Sequence, residues 1–152
     1  QMPPAALRNM VGGMGPFDVV TAVRGSAEMP LARRLANSLA DVPYRALAGL
    51  PLHDVQAGCR GYSREVAEYL ARNLDPGGGY TLEHNTMEQL TWLSHRRGRP
   101  IRIGEFPVPC SYGTTNSHLC VTDRLHLTWA AVRCALRIGA ILRATRSATG
   151  PA

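Results

Sequence analysis

The sequence predicts an α/β domain built in layers, with mostly parallel strands. Three observations predict it. A β-branched run from Phe17 to Val23 reads as a buried strand. Ile101, Ile103 and Phe106 alternate as a second strand, closed by Pro107 and Pro109. Stretches of helical character stand between and around them, and strands alternating with helices argue for layers. The 152 residues, 45% hydrophobic and 18% charged, suit one globular domain with a sizeable core. Aromatics are only 6%, so aliphatic side chains must fill most of that core.

Taken in order, Pro3 and Pro4 ahead of Ala5 to Val11 predict a short helix with proline in its first turn. Gly12, Gly13 and Gly15-Pro16 stop it. The first strand ends at Arg24-Gly25. Leu31, Leu35 and Leu39 recur at i, i+4 and i+8, which predicts a helix over 30–40. Pro43, Gly49 and Pro51 punctuate a loop, and residues 54–62 are irregular or strand-like. Ser63 is a good N-cap for a helix to Asn73, broken by Pro76 and Gly77 to Gly79. A long helix is expected from Leu82 to His95, ended by Arg96-Arg97-Gly98. Residues 110–118 read as a polar loop, and a last helix covers Asp123 to Arg143. The domain reading is therefore 1–120 for the layered part, 121–146 for a basic helix and 147–152 for a disordered tail.

Charge excludes some chemistry. Every one of the 17 basic residues is arginine, against 11 acids, for a net +6. With no lysine, neither Schiff-base chemistry nor a Walker lysine is available. Residues 1–76 carry a net +1 and residues 77–152 a net +5, with five arginines and no acid from Arg124 onward. A field of that sign attracts phosphates. A solvated arginine-rich face explains the same asymmetry. Cys59, Cys110, Cys120 and Cys134 are too sparse for a disulfide framework and badly spaced for structural zinc. The five histidines show no ligand spacing, and Arg96, Arg97, Arg99 and Arg102 read as a solvated helix end and strand edge. Nucleic-acid binding is not expected, because no aromatics interleave those arginines. No signal peptide and no apolar run of membrane-spanning length is present.

Three segments carry candidate chemistry. In sheets of this class ligands gather beyond the carboxyl ends of the strands, which puts Arg24 near any site. Arg33, Arg34 and Asn37 follow it. Asp54, in a loop after Pro51, can serve as a base or orient a hydroxyl or phosphate, and Arg60 is close enough to pair with it or to clamp an anion. Their plain alternative is a structural salt bridge. Glu83, the stretch Gly98 to Val108 with Glu105 and Pro107, and the loop Tyr112-Gly113 to Ser117 complete the set.

In this order the segments resemble the second half of family 2 glycosyltransferases of the GT-A fold, especially the polyprenyl-phosphate sugar transferases. That family shows a hydrophobic strand ending in Arg, an Arg-rich helix with Asn, and an Asp followed by a Gly-aromatic-Arg element. Then come a helix opened by Glu, a Glu-x-Pro-Val strand and a Tyr-Gly-x-x-x-Ser loop. The corresponding stretches here are Val19 to Arg24, Arg33 to Asn37, Asp54 to Arg64, the helix after Glu83, Gly98 to Val108, and Tyr112 to Ser117. The resemblance spans about residues 1–145. Gln1-Met2-Pro3-Pro4 looks like the stretch that begins at the Gln of the family's metal-binding Asp-x-Asp-x-Gln. The resemblance thus implies a GT-A fold without its N-terminal nucleotide-binding half.

The implied activity is transfer of a sugar from a nucleotide-sugar donor to a polyprenyl phosphate, at the cytoplasmic face of a membrane. A divalent Mg or Mn ion would neutralise the leaving diphosphate, held mostly by residues outside this chain, with Gln1 as the remaining metal residue. Asp54 is implied as the catalytic carboxylate, and Arg24, Arg33, Arg34, Arg60, Tyr112 and Ser117 as substrate-binding residues. Cys59 replaces the aromatic usual before Arg60, Ala57 the usual Ser or Thr, and Ser111 an arginine. Two other readings stand beside this one: the same fold with a saccharide or small-metabolite acceptor, and a non-catalytic basic module that binds anionic membrane or a partner. The last helix bears on both. Leu125, Trp129, Val132 and Leu136 form one stripe, with Arg133 and Arg137 beside it, while Leu127, Cys134, Ile138 and Ile141 lie opposite. Such a helix lies in a membrane interface or packs on the sheet.

Overall fold

The computed structural model describes residues 4–25, 31, 34–35, 38, 41–42, 44–48, 52–75, 81–108 and 121–148, with side chains omitted at 47–48, 121–127 and 145–148. Along the chain run α1 (Pro4–Gly12), β1 (Val19–Arg24), a single π-helical turn (Tyr44–Ala48), β2 (Arg60–Tyr62), α2 (Arg64–Asn73), α3 (Leu82–Arg97), β3 (Ile103–Val108) and α4 (Val121–Ala148). Positions 31, 34, 35, 38, 41 and 42 are helical as well.

The three described strands form one sheet in the order β2-β1-β3. β1 pairs in parallel with β3, from Val19 opposite Ile103 to Arg24 opposite Val108. It pairs antiparallel with β2, where Thr21 faces Arg60. The α/β class therefore holds, but the sheet is mixed rather than mostly parallel. The return into β2 makes the difference: after the helical positions and the π-helical turn, segment 52–59 crosses the carboxyl end of β1 and the chain runs back beside it. Pro107 lies inside β3 and not after it. An edge strand tolerates a residue with no N–H, and Pro107 is exposed.

Val20, in the middle of the central strand, has glycine on both sides, Gly61 on β2 and Gly104 on β3. The missing side chains make room for the loop after α1. A Cβ on Gly104 would stand 2.6 Å from the Phe17 ring, and one on Gly61 2.8 Å from Val20 Cγ2 and 3.1 Å from Met14 Sδ. On this side Met10, Val20, Ala22 and Val108 form a small core, with Phe17 edge-on to Phe106. The larger core lies on the other side, between Val19, Leu52, Val55, Val66, Met87, Leu90 and Ile138. Helices thus cover both faces, as a central strand buried on both sides requires.

Local signals explain the helix ends. Ser63 caps α2, its hydroxyl accepting from the Val66 N–H at 3.5 Å. Gly98, at φ 62°, ends α3 in the left-handed conformation that glycine adopts without strain. α4 is longer than its sequence pattern predicts and runs through Ala148, so Ser147 and Ala148, expected in a tail, are helical. Ala131, Cys134, Ala135, Ile138 and Ile141 of α4 are buried. The side carrying Trp129, Val132 and Leu136 faces outward. Leu31 and Leu35 also face solvent.

Candidate functional site

The carboxyl ends of β1 and β3 lie side by side because the two strands are parallel. The segment 52–59 crosses this end before β2 begins, and the Ala22 N–H bonds the Cys59 carbonyl to hold it there. Three consecutive residues pin the crossing loop to three different parts of the chain. His53 is tied to Glu105 on β3: its backbone N–H donates to Oε1 at 2.7 Å, and Nδ1 lies 2.5 Å from Oε2. Asp54 is tied to Arg24 at the end of β1, whose Nε and Nη2 each donate to a carboxylate oxygen at 2.7 Å. The Val55 N–H donates to Asp41 Oδ1 at 3.0 Å.

These contacts set the electrostatics. The Asp54 side chain is 7% exposed and Arg24 24%, so the pair is largely withdrawn from water. Two-point contact between a guanidinium and a carboxylate is the strongest geometry such a pair has. Asp41 is buried, and burial pushes its carboxyl up to about 6. The Val55 N–H opposes that rise and the charge of Asp54 adds to it. Arg60 does not join Asp54. Its Nη2 donates to the Val55 carbonyl, bracing the loop from below, and its buried Nε has no hydrogen-bond partner among the described residues.

Of the residues named from sequence, the structure thus brings Arg24, Asp54 and Arg60 to one loop. Arg34 is exposed on the helical segment after β1. Gln1, Arg33, Tyr112 and Ser117 lie outside the described residues. Among the described residues no three His, Cys, Asp or Glu side chains converge as a metal-holding group.

Sequence reasoning missed three groups. His53 shows no ligand spacing in the sequence, yet it makes two contacts with one carboxylate. The signal for it was Glu105, which the resemblance named without a role. Asp41 was not singled out, and no sequence signal marks it, since its importance comes from burial.

The third group lies at the opposite end of the sheet. Asp18, just before β1, is buried and collects three arginines. Arg99 Nη1 lies at 3.1 Å, Arg102 Nε at 3.3 Å and Arg97 Nη1 at 3.6 Å, and the Arg102 N–H donates at 2.9 Å. Arg97, with its side chain 9% exposed, also meets Glu65 at 2.6 Å. These arginines form a charge network that closes one end of the sheet; the Arg97 side chain is largely buried in it, while Arg96, Arg99 and Arg102 keep the solvated character their sequence suggests, the Arg99 side chain 45% and Arg102 56% exposed. They are drawn in because Asp18 would otherwise be a buried lone charge. Burial alone would raise its carboxyl, but hydrogen bonds from Arg99 and Arg102 outweigh that and hold it at about 2.

The remaining buried polar residues are structural. Tyr44 hydrogen-bonds His84 Nδ1 and stacks on its ring at 8° between planes. Burial pushes the phenol up and the imidazole down, so both stay neutral. Cys134 donates to the His84 carbonyl at 3.1 Å, and burial pushes its thiol up to about 11, which leaves it inert. A groove of about 320 Å³ between α3 and α4 is lined by His84, Glu88, Trp129, Arg133 and Arg137, among others, and by none of the predicted site residues.

Comparison with known protein families, with characterised proteins and with solved structures finds no match. The class the fold defines is accordingly a mixed α/β domain with a charged loop cluster beyond the carboxyl ends of two parallel strands.

Proposed function

We propose that this chain carries the acceptor side of a nucleotide-sugar-dependent glycosyltransferase, with a polyprenyl phosphate as the acceptor. One observation carries the reading: Arg24 and Asp54 are joined at two points where the parallel strands end. Ligands of open α/β sheets collect at that end. In this reading Asp54 is the catalytic carboxylate and holds the Arg24 fork in position. Arg24 supplies the cation that meets phosphate oxygens, and Arg60, partly buried beneath the loop, adds a second positive charge to the site. Arg34, with Arg33, Tyr112 and Ser117, belongs to the substrate-binding set that the family resemblance implies. Positioning does most of the catalytic work, because a phosphate acceptor is already anionic. A divalent ion would balance the leaving diphosphate when bound.

The outer face of α4 supports a lipid acceptor. Trp129 is 61% exposed and Leu136 57%, and Arg133 and Arg137 accompany them. An apolar stripe with arginines beside it suits an anionic membrane surface. No helix among the described residues is long and apolar enough to cross a membrane. A second reading, in which the acceptor is an alcohol of a saccharide or small metabolite, is favoured by the charge balance of the loop. Asp54 already neutralises Arg24, and His53 offers a base.

The test is a transfer assay on the full-length protein with radiolabelled nucleotide sugars and polyprenyl phosphate. Label extracted with the lipid is expected. Label found only in water-soluble product rejects the lipid acceptor, and no transfer to any acceptor rejects the activity.

A further inference from the structure

We propose that His53, oriented by Glu105, is the residue that takes the acceptor's proton; this assignment rests on the glycosyl-transfer reading above. Glu105 receives two bonds from one residue, the backbone N–H at 2.7 Å and ring Nδ1 at 2.5 Å. That pattern fixes both where the loop sits and how the ring is turned. An ionised carboxylate can only accept, so Nδ1 carries a proton, and in the neutral ring Nε2 is the nitrogen with the lone pair. No described residue bonds Nε2, and the side chain is 67% exposed. A ring so open gains little from burial. The two bonds therefore serve orientation rather than packing.

The other groups at this end are worse placed to accept a proton. Both oxygens of Asp54, the next residue in the chain, are engaged by Arg24 in a nearly buried contact. Asp41 is buried beneath the loop and bonded to the Val55 N–H. Arg24 and Arg60 are cations and cannot accept. His53 alone in this cluster combines a free lone pair with access to solvent and with charged neighbours that contact substrate in the proposed reaction.

The step balances simply. The acceptor oxygen attacks the sugar's anomeric carbon, and the bond from that carbon to the diphosphate breaks. The electron pair leaves with the nucleoside diphosphate, and the acceptor's proton passes to His53 Nε2. An alcohol acceptor has that proton at every working pH. A phosphate monoester has it only below its second pKa, near 6.

The test uses the full-length protein with farnesyl phosphate and octyl glucoside as alternative acceptors and His53→Gln as the variant. With the alcohol, kcat is expected to fall at least ~100-fold. With the phosphate, a fall of about fourfold is expected at pH 5.5, where about a quarter of the acceptor is already a dianion, and recovery by pH 8. Wild-type turnover by His53→Gln with both acceptors at every pH overturns the assignment and leaves the transferase reading standing. A wild-type protein that transfers to neither acceptor overturns that reading and this role together. A second measurement needs no turnover: carbethoxylation followed by mass spectrometry. His53 is expected to label faster than His95, also exposed, and to slow in Glu105→Gln. Equal labelling of the two histidines, indifferent to Glu105, overturns the oriented ring.

Discussion

Arg24 and Asp54, thirty residues apart in the chain, grip each other through two bonds of 2.7 Å and so clamp the end of β1 to the loop that crosses it. Their separation closes a long excursion from the sheet, and the residues on either side of Asp54 are pinned as well. The clamp therefore both builds the loop and presents its charges.

Replacing Asp54 with Asn keeps the shape and one acceptor but removes the charge. We expect transfer to fall by at least ~100-fold while the protein stays folded, because the Arg24 fork is no longer held in position. Arg24→Ala is the harsher change, because it strands a carboxylate that is only 7% exposed. It is expected to cost about 3–5 kcal/mol, with part recovered in the Arg24→Ala, Asp54→Ala double variant. Urea denaturation of the four proteins checks this. Equal stability of Arg24→Ala and wild type would show that the clamp is absent in solution.

Asp18 sets the acid limit. Its pKa is about 2, against an ordinary value of 3.8. A lowered carboxylate pKa stabilises the folded state above the ordinary value, and that contribution is lost as pH falls. Stability is thus expected to drop by about 2 kcal/mol between pH 4 and pH 2 on account of this residue. Asp18→Asn should lose that part of the acid dependence and be less stable at pH 7. Thermal melts across this range are the measurement.

Asp41 works in the opposite direction. Its carboxyl stands at about 6 in the folded chain, against 3.8 ordinarily, so the folded state binds the proton more tightly. Stability from this group is present below pH 4 and is lost as pH rises through 6. Asp41→Asn retains an oxygen for the Val55 N–H and carries no buried charge. It is expected to raise stability at pH 7.5 by about 1–3 kcal/mol and to flatten the profile between pH 4 and pH 6. A destabilised Asn variant at pH 7.5 would contradict this.

The exposed side of α4 gives a prediction without catalysis. Trp129 should shift its fluorescence to the blue with vesicles containing phosphatidylserine, and much less with neutral phosphatidylcholine. Arg133→Glu with Arg137→Glu should weaken the binding by at least about tenfold, since each basic residue near such a surface contributes about 1 kcal/mol. Unchanged emission with anionic vesicles would remove the membrane from the proposal.

The helices and the two strands β1 and β3 were legible because their signals are local: the β-branched run, the Ser63 cap, the Gly98 stop and the apolar spacing. The two stripes of α4 were also visible, but the sequence does not say which one is covered. The structure buries Cys134, Ile138 and Ile141 and leaves Trp129 and Leu136 outside. The mixed direction of the sheet escaped because β2 is three residues long, too short to show a period.

By itself the sequence determined which segments form helix and strand, because backbone preference and side-chain spacing act over a few neighbours. It also placed Arg24 at a strand end. Tertiary structure alone decided which charges meet. Asp54 is joined to Arg24 rather than to Arg60, His53 to Glu105 fifty-two residues away, and Asp18 to arginines more than eighty residues on. A charge withdrawn from water takes the partner that packing brings within reach, and chain distance has no part in that choice.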